Sequence, residues 1–235
     1  MESADAILTA VNVSFAYPGR ESVIRDLSFG LRGGEILGLA GQNGAGKSTL
    51  LDLLAGFKRP TQGRITLSGR KAAGKGGRKR VALLPQNVDF FILGDSPLED
   101  LALALGLEGA AARDERIALI AESWSLGDVL DRPVETLSLG QKKRLALASS
   151  LAAEPEVLLL DEPFFGLDWP GSLRFLEDLK TLPEKRLIVV LATHEPSLVA
   201  GLVDKWLLMK PNEYLLAPPG EALGRLAEFG VRPAT

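Results

Sequence analysis

The chain has 235 residues, of which 46% are hydrophobic, and this suits one large α/β domain with room for a subdomain. The net charge of −3 argues against a general attraction to nucleic acid or anionic membranes, and the lack of cysteine excludes disulfides and cysteine-based metal sites. The lack of cysteine agrees with a cytosolic protein, and the start of the sequence has no basic segment of a signal peptide. No apolar run is long enough to span a membrane, so we expect any role at a membrane to be exercised from its surface, through partners.

The first predicted elements are two β-strands, at residues 7–15 and 23–31, with a turn between them that contains Tyr17. Tyr17 precedes a glycine-rich motif, and its ring has two interpretations that the sequence leaves equally open. It stacks on an adenine base, or it packs locally in the turn.

The glycine-rich motif, Gly41–Thr49, fits the phosphate-binding loop pattern G-x-x-x-x-G-K-[ST]. The apolar run Glu35–Ala40 before it predicts a buried strand, and the run Leu50–Ala55 after it predicts a helix that stops at Gly56. Such a loop requires a strand and a helix in these positions. We therefore favour it over a glycine-rich turn that binds nothing.

The chemistry of this loop follows from its glycines and from the helix behind it. Glycine adopts backbone angles that turn successive amides inward, and the start of the helix adds unpaired N–H groups, so the loop can hold a phosphate chain. We expect Lys47 to reach the β- and γ-phosphates and the hydroxyl of Ser48 to ligate Mg²⁺. The predicted nucleotide-binding residues here are Gly41, Gln42, Asn43, Gly44, Ala45, Gly46, Lys47, Ser48 and Thr49.

Predicted strands at residues 64–67 and 81–84 flank a basic, glycine-rich run, Arg70–Arg80. This run lacks interleaved aromatic residues, so we favour a solvated loop over contact with nucleic acid or lipid headgroups.

Between Pro97 and Ala153 the composition shifts to alanine, leucine and charged residues at helical spacing, which predicts a helical insertion. Inside it, Leu137–Gln141 precedes an apolar helix. Ser138 is placed to cap that helix, and a Ser-x-Gly sequence at a helix start can meet phosphate.

Val157–Leu160 predicts a central parallel strand, and Asp161 and Glu162 follow it directly. Ligands of open α/β sheets bind at the carboxyl ends of the strands. Asp161 therefore fits an Mg²⁺ ligand, and Glu162 fits a group that orients or deprotonates the attacking water. The alternative is that both acids only stabilise the start of a helix through its dipole, but the phosphate loop favours the catalytic interpretation.

The remaining predicted elements are a helix at residues 173–182, a strand at 187–192, a hairpin at 205–210 and 213–217, and a last helix at 221–229. His194, the only histidine, follows the strand at 187–192, on the edge that also carries Asp161 and Glu162. We therefore prefer a contact with the γ-phosphate to a merely packed histidine.

The order and spacing of these motifs resemble those of an ABC-transporter ATPase subunit over nearly the whole chain. The motifs are the phosphate loop, Gln86, Leu137–Gln141, Asp161–Glu162, Asp168 and His194. The resemblance implies a nucleotide-binding domain over residues 1–235 with an α/β fold of the P-loop NTPase class. This fold has a RecA-like core with a mixed, mostly parallel sheet, an antiparallel β-subdomain, and an α-helical signature subdomain over residues 88–153.

The resemblance also implies a dimer of ATPase subunits, either homomeric or with a related chain, that holds two ATP molecules head to tail. Each ATP would lie between the phosphate loop of one subunit and the signature motif (Leu137–Gln141) of the other. The further nucleotide contacts implied in this way are Tyr17, Ser138, Gly140, Gln141 and the D-loop Asp168. In the signature motif, Leu139 replaces the family's first glycine. We expect an active site, and the strength of the contact with the partner's ATP stays open.

Catalytic and metal-binding roles follow from the same resemblance. Glu162 resembles the catalytic base, His194 the switch histidine, and Gln86 the glutamine that senses Mg²⁺ and the membrane partner. The implied catalytic residues are Glu162, His194, Lys47 and Gln86, and the implied Mg²⁺ ligands are Ser48, Gln86 and Asp161.

A narrower resemblance rests on four stretches, Phe15–Gly19, Gln86–Asp89, Ser96–Ala102 and Gly140–Ala148. They are similar to the ATPases of energy-coupling factor (ECF) importers, which take up vitamins and cobalt or nickel ions. This similarity implies a transmembrane coupling subunit, a substrate-binding membrane subunit, and a peripheral position at the cytoplasmic face of the membrane. The alternatives are the ATPase of another ABC importer or exporter, a soluble ABC ATPase, and a non-hydrolysing switch. We expect no nucleic-acid partner.

Overall fold

A computed structural model describes residues 8–71, 80–106, 110–182 and 186–232, which form two compact units. The first unit contains the described residues up to Leu83, Glu156–Glu162, and those from Leu182 onward. The second contains Leu84–Pro155, within its described residues, and Pro163–Thr181.

The strands form two sheets. In the described residues they are β1 Leu8–Ala16, β2 Ser22–Leu31, β3 Ile36–Gly41, β4 Gln62–Leu67, β5 Arg70–Lys71, β6 Val81–Leu84, β7 Val157–Asp161, β8 Ile188–Ala192, β9 Lys205–Lys210 and β10 Glu213–Ala217. One sheet has the order β2-β1-β4-β5 and is antiparallel, and the other has the order β10-β9-β3-β8-β7-β6. In the second sheet β3 runs parallel to β8 and β9, β7 runs parallel to β8, and β10 is antiparallel to β9. The mixed, mostly parallel sheet and the antiparallel sheet are both as predicted.

The helices of the described residues are α1 Lys47–Leu54, α2 Pro97–Leu105, α3 Ala110–Ser123, α4 Leu139–Ala152, α5 Trp169–Lys180, α6 Pro196–Val199 and α7 Pro219–Gly224. Three of them, α2, α3 and α4, lie in the predicted helical insertion. They share a hydrophobic core of their own, to which Leu101, Ile117 and Leu145 contribute. None of the helices in the described residues combines the length and apolar character that a membrane span requires.

The apolar character of the central strands explains their position. Every residue of β3 and of β8 is buried, because both faces of this sheet are covered. The chain leaves β3 at Gly41 and enters α1 at Lys47, so the phosphate loop joins a buried strand to a buried helix. The helix that we predicted from Leu50 begins at Lys47, since Gly46 takes the N-cap position.

Two other predictions differ from the structure. The helix predicted at 173–182 begins earlier, at Trp169, because Asp168 caps it. The single helix predicted at 221–229 is two elements, α7 and a 3₁₀ turn at Leu226–Phe229. Arg225 between them has the non-helical angles φ −112° and ψ 6°, and the turn buries its two end residues. Of the basic run Arg70–Arg80, residues 72–79 lie outside the described residues.

Candidate nucleotide site

Two glycines of the phosphate loop require their lack of a side chain for different reasons. Gly44 has a φ of +81°, and a Cβ there would meet nothing within 4 Å, so only its backbone angle excludes other residues. At Gly41 a Cβ would collide with the carbonyl oxygen of Met209 on β9. Gly46, with a φ of +98°, precedes α1 without a side-chain cap. Because no side chain caps the start of α1, its first backbone N–H groups can bind an anion.

Lys47 is buried within this loop. Its Nζ donates to the carbonyl oxygen of Gly41 at 2.7 Å and lies 3.5 Å from Nε2 of His194. Burial lowers the pKa of Lys47, and the nearby carboxylates of Glu162 and Asp161 act in the opposite direction. The amine of Lys47 therefore lies against a carbonyl group of its own loop, at the position where it would meet a phosphate chain bound by the loop.

Asp161 ends β7, and its carboxylate lies near the Ser48 hydroxyl, so two of the three predicted Mg²⁺ ligands lie close together. Burial raises the pKa of Asp161, and the Ser48 hydrogen bond and the charge of Lys47 partly offset that effect. The described residues contain no cluster of three or more His, Cys, Asp or Glu side chains for a metal. A hydroxyl beside one carboxylate fits Mg²⁺, which takes its other ligands from phosphates and water.

Glu162 follows Asp161 and has a φ of +48°, a backbone conformation that is uncommon outside glycine and often occurs at functional sites. Its Oε2 accepts a hydrogen bond from the backbone N–H of His194 at 3.1 Å. Its Oε1 is buried and accepts no hydrogen bond from the described residues. Burial raises the pKa of Glu162, so this carboxylate is a stronger base than an exposed one.

His194 lies in the segment that follows β8. Its Nε2 is 3.1 Å from Oε1 of Glu162 and 3.5 Å from Nζ of Lys47. Burial, and next the charge of Lys47, lower the pKa of His194 and favour the neutral ring. If Nε2 carries no proton, it accepts from Lys47 and leaves Oε1 without a hydrogen bond, whereas a protonated Nε2 would pair with Oε1.

Tyr17 makes local contacts, as one of its two interpretations requires. Its hydroxyl lies 3.1 Å from Oγ1 of Thr49, and its ring packs edge-to-face on Phe15 with centroids 5.0 Å apart. Nζ of Lys58 lies 5.7 Å from the ring centroid, a contact that sequence reasoning missed. Stacking on adenine stays a prediction.

The second unit contains the other predicted contacts. Ser138 caps α4 in a reciprocal arrangement: Gln141 N donates to its hydroxyl at 3.3 Å, and its own N donates to Oε1 of Gln141 at 2.8 Å. Asp168 caps α5 by accepting from Gly171 N at 2.8 Å. Gln86 is exposed in the bend after β6.

One cavity of about 370 Å³ joins the signature motif to the D-loop within this unit. Its lining includes Ser138, Leu139, Gly140, Arg144, Asp168 and Arg174. Sequence reasoning missed both arginines, because their side chains approach the cavity only through the packing of α4 and α5.

Comparison with known proteins gives the family. Residues 24–165 match the family model described as "ABC transporter". The chain is 39% identical over 240 residues to the cobalt import ATP-binding protein CbiO of Rhodobacter capsulatus. This alignment covers 97% of this chain and 85% of the relative. It is 35% identical over 217 residues to the energy-coupling factor transporter ATP-binding protein EcfA of Methanocaldococcus jannaschii, covering 89% of this chain and 77% of the relative.

The structure is also similar to a solved one. CbiO1 of Clostridium perfringens, described as part of the ABC transporter complex CbiONQ, superimposes with a TM-score of 0.86 at 28% identity. The superposition covers 94% of this chain and 91% of that one. The predicted fold class is thereby confirmed.

Proposed function

We propose, from the premise that the chain belongs to the ABC transporter family, that it is the ATP-hydrolysing subunit of an ECF-type importer for a micronutrient, either a metal ion or a vitamin. The chain is an ATPase of this family. The observation that carries the proposal is the meeting of Lys47, Glu162 and His194 beside a loop that fits a phosphate chain. The relatives named for cobalt import and for energy coupling support the choice of importer.

In this proposal ATP is the substrate and water attacks its γ-phosphate in line. The loop amides and Lys47 bind the β- and γ-phosphates and stabilise the charge that develops on them. Glu162 accepts a proton from the water at Oε1, the oxygen that has no backbone hydrogen bond, while the hydrogen bond from His194 N to Oε2 keeps the carboxylate oriented. The His194 ring contacts the γ-phosphate.

The Ser48 hydroxyl and the Asp161 carboxylate would hold Mg²⁺, and we propose Gln86 as a further ligand. When bound, the ion supplies positive charge to the phosphate oxygens. Among the protein's own groups, Asp161 fits this use because Ser48 and Lys47 favour its ionised form against the effect of burial.

A second ATPase subunit completes the site. The signature motif and Asp168 of one subunit would contact the ATP held by the phosphate loop of the other. Ser138 and Gly140 remain available for this contact, and both line the cavity that also contains Asp168. Tyr17 would stack on the adenine base.

We propose that the whole chain, residues 1–235, is one nucleotide-binding domain with a helical subdomain at 88–153. It would lie at the cytoplasmic face of the membrane, bound to a coupling subunit. The segment after Gln86 supports binding to a coupling subunit, because its apolar side chains Phe90 and Leu93 are 84% and 77% exposed. Exposed apolar side chains that lie together mark interaction sites. The buried carboxylate of Asp100 fixes the segment by accepting from Leu93 N at 2.8 Å and from the Ser149 hydroxyl at 2.6 Å.

Affinity purification from detergent-solubilised membranes tests the importer. The expected companions of the tagged chain are a transmembrane coupling protein and a small substrate-binding membrane protein, identified by mass spectrometry. Recovery of the permease subunits of a different ABC transporter would replace the ECF assignment. Recovery of no membrane protein would contradict the proposal.

A pair of variants locates the docking surface. Phe90→Glu should abolish the co-purification, because a charge replaces an exposed aromatic ring at the proposed contact. Phe57→Glu is the matched control, since this ring is also exposed, at 59%, but lies outside the segment. Equal recovery of the membrane proteins with both variants would exclude the segment as the docking surface.

A further inference from the structure

Lys143 is a buried lysine on α4, just after the signature motif. Only 1% of its surface is exposed, and its Nζ donates to the carbonyl oxygens of Pro163 and Phe165 at 2.5 and 2.8 Å. Both carbonyls belong to the linking loop (Pro163–Leu167), which follows Glu162 directly in the sequence. Lys143 thus ties α4 to the loop that leads away from the catalytic carboxylate.

Burying an ammonium group at position 143 costs desolvation free energy that an apolar side chain would not lose. Burial removes the water from Nζ, whereas a methionine of similar length would fill the same space without a charge. The two carbonyls of the linking loop need a donor, and a charged donor makes the stronger hydrogen bonds. In return, the hydrogen bonds from Lys143 hold the linking loop in a fixed position on α4.

A second contact joins the same two segments one turn earlier on α4. Gly166 has a φ of +79°, and a Cβ built on it would lie 2.9 Å from Cδ2 of Leu139. Leu139 therefore packs on the backbone of the linking loop, in space that a side chain at position 166 would need. The leucine that replaces the family's first signature glycine contacts this chain's own loop.

Other contacts fix both ends of the linking loop. Phe164 is buried and packs edge-to-face on Phe175 of α5, with centroids 5.8 Å apart. Asp168, the next residue after the loop, caps α5 through Gly171 N. Together with Lys143, these contacts make the signature motif, the linking loop and the start of α5 one packed assembly.

We propose that Lys143 is a positioning residue for ATP turnover, which holds the linking loop on α4 so that Ser138 and Asp168 face the partner's ATP at a fixed separation. This inference rests on the proposed function. Lys143 itself touches no nucleotide in it. Its removal should therefore spare the binding of ATP by one subunit and impair the hydrolysis that needs both.

The test compares the full-length wild type with Lys143→Met and Lys143→Gln, which are similar in size and both uncharged, but only glutamine donates N–H groups. The measurements are ATP affinity by calorimetry, steady-state ATP turnover, and amide hydrogen exchange at Phe164–Leu167. For Lys143→Met we expect unchanged ATP affinity, turnover lower by about tenfold, and faster exchange, because two carbonyls lose their donor. Lys143→Gln should recover part of the turnover and part of the protection.

Unchanged exchange at Phe164–Leu167 in Lys143→Met would overturn the tether, and equal turnover in the two variants would overturn its connection with hydrolysis. A wild type that neither binds nor hydrolyses ATP would contradict the proposed function instead, and the exchange data would still decide about the tether. If Lys143→Met fails to fold, Leu139→Gly removes the second contact without leaving a carbonyl unpaired. It should also speed exchange and slow turnover, and a lack of both effects would overturn the inference.

Discussion

The Oε2 atom of Glu162 accepts a hydrogen bond of 3.1 Å from the backbone N–H of His194, and this bond links the segments that follow β7 and β8. The same two strands are joined just before it, since Glu162 N donates to Ala192 O at 3.0 Å. Backbone contacts therefore orient one carboxylate oxygen, while Oε1 accepts no backbone hydrogen bond and lies 3.1 Å from Nε2 of His194. One oxygen positions the group, and the other is left for chemistry.

Replacing Glu162 by glutamine should stop turnover and keep ATP binding. The amide oxygen can still accept from His194 N, but the base is lost, so we expect turnover to fall by about 10²- to 10⁴-fold. With ATP the variant should accumulate as a dimer, measured by light scattering. Glu154→Gln, at a side chain that is 83% exposed, is the control and should behave as the wild type. A Glu162→Gln protein that stays monomeric with ATP would contradict the sandwich of two subunits.

The same substitution should stabilise the fold at neutral pH without nucleotide. Burial raises the pKa of Glu162 above 4.5, so the folded state binds more protons than the unfolded state between 4.5 and that raised pKa. The contribution of Glu162 to stability therefore declines as the pH rises through this window. The amide of Glu162→Gln is neutral and avoids this decline, so we expect its free energy of unfolding at pH 7 to exceed that of the wild type by about 1 kcal/mol.

Urea unfolding of both proteins between pH 4 and pH 8 measures this difference. It should be largest at the upper end and disappear towards pH 4, because protonation of Glu162 removes its cause. A constant difference across the pH range would mean that the buried charge of Glu162 is not the source.

Lys47→Ala should lower the affinity for ATP. Hydrogen bonds to charged groups contribute about 1.5–3 kcal/mol, so calorimetry should show a loss of about 10- to 100-fold. Lys180→Ala removes an exposed lysine that pairs with Glu177 on α5, and it should bind ATP as the wild type does. Equal affinities of the two variants would argue against the assigned phosphate contact.

The C-terminal turn supports the phosphate loop, and Gly230→Ala tests this. Gln42 N donates to Phe229 O at 3.1 Å, and a Cβ at Gly230 would lie 3.0 Å from the Cβ of Gln42. Gly230 also has a φ of +68°, so alanine adds strain of about 1–3 kcal/mol. We expect a lower urea midpoint and weaker binding of ATP.

Gly224→Ala is the matched control for this variant, since it lies in α7 and its Cβ would meet nothing within 4 Å. It should leave ATP binding unchanged and raise the urea midpoint slightly, because alanine favours a helix. If both alanine variants bound ATP like the wild type, the turn would have no part in shaping the loop.

Local sequence was enough to predict the strand ends that carry Asp161, Glu162 and His194. Each residue follows an apolar run, and the carboxyl ends of parallel strands meet at one edge of a sheet. The three consecutive cations Lys142, Lys143 and Arg144 show the limit of such reasoning. In sequence they look alike, yet Lys142 pairs with Asp89 at the surface and Lys143 is fully buried.

The sequence by itself determined the phosphate loop and the order of the motifs, because glycine angles, apolar runs and helix caps are set by neighbouring residues. The resemblance of those motifs to a known family then implied the fold class. Only the tertiary structure decided which oxygen of Glu162 accepts the backbone hydrogen bond, that Leu139 packs on Gly166, and that Gln42 binds the C-terminal turn. These relationships join residues far apart in the chain. Helix register and side-chain packing create them, and neither produces a pattern that can be recognised in the local sequence.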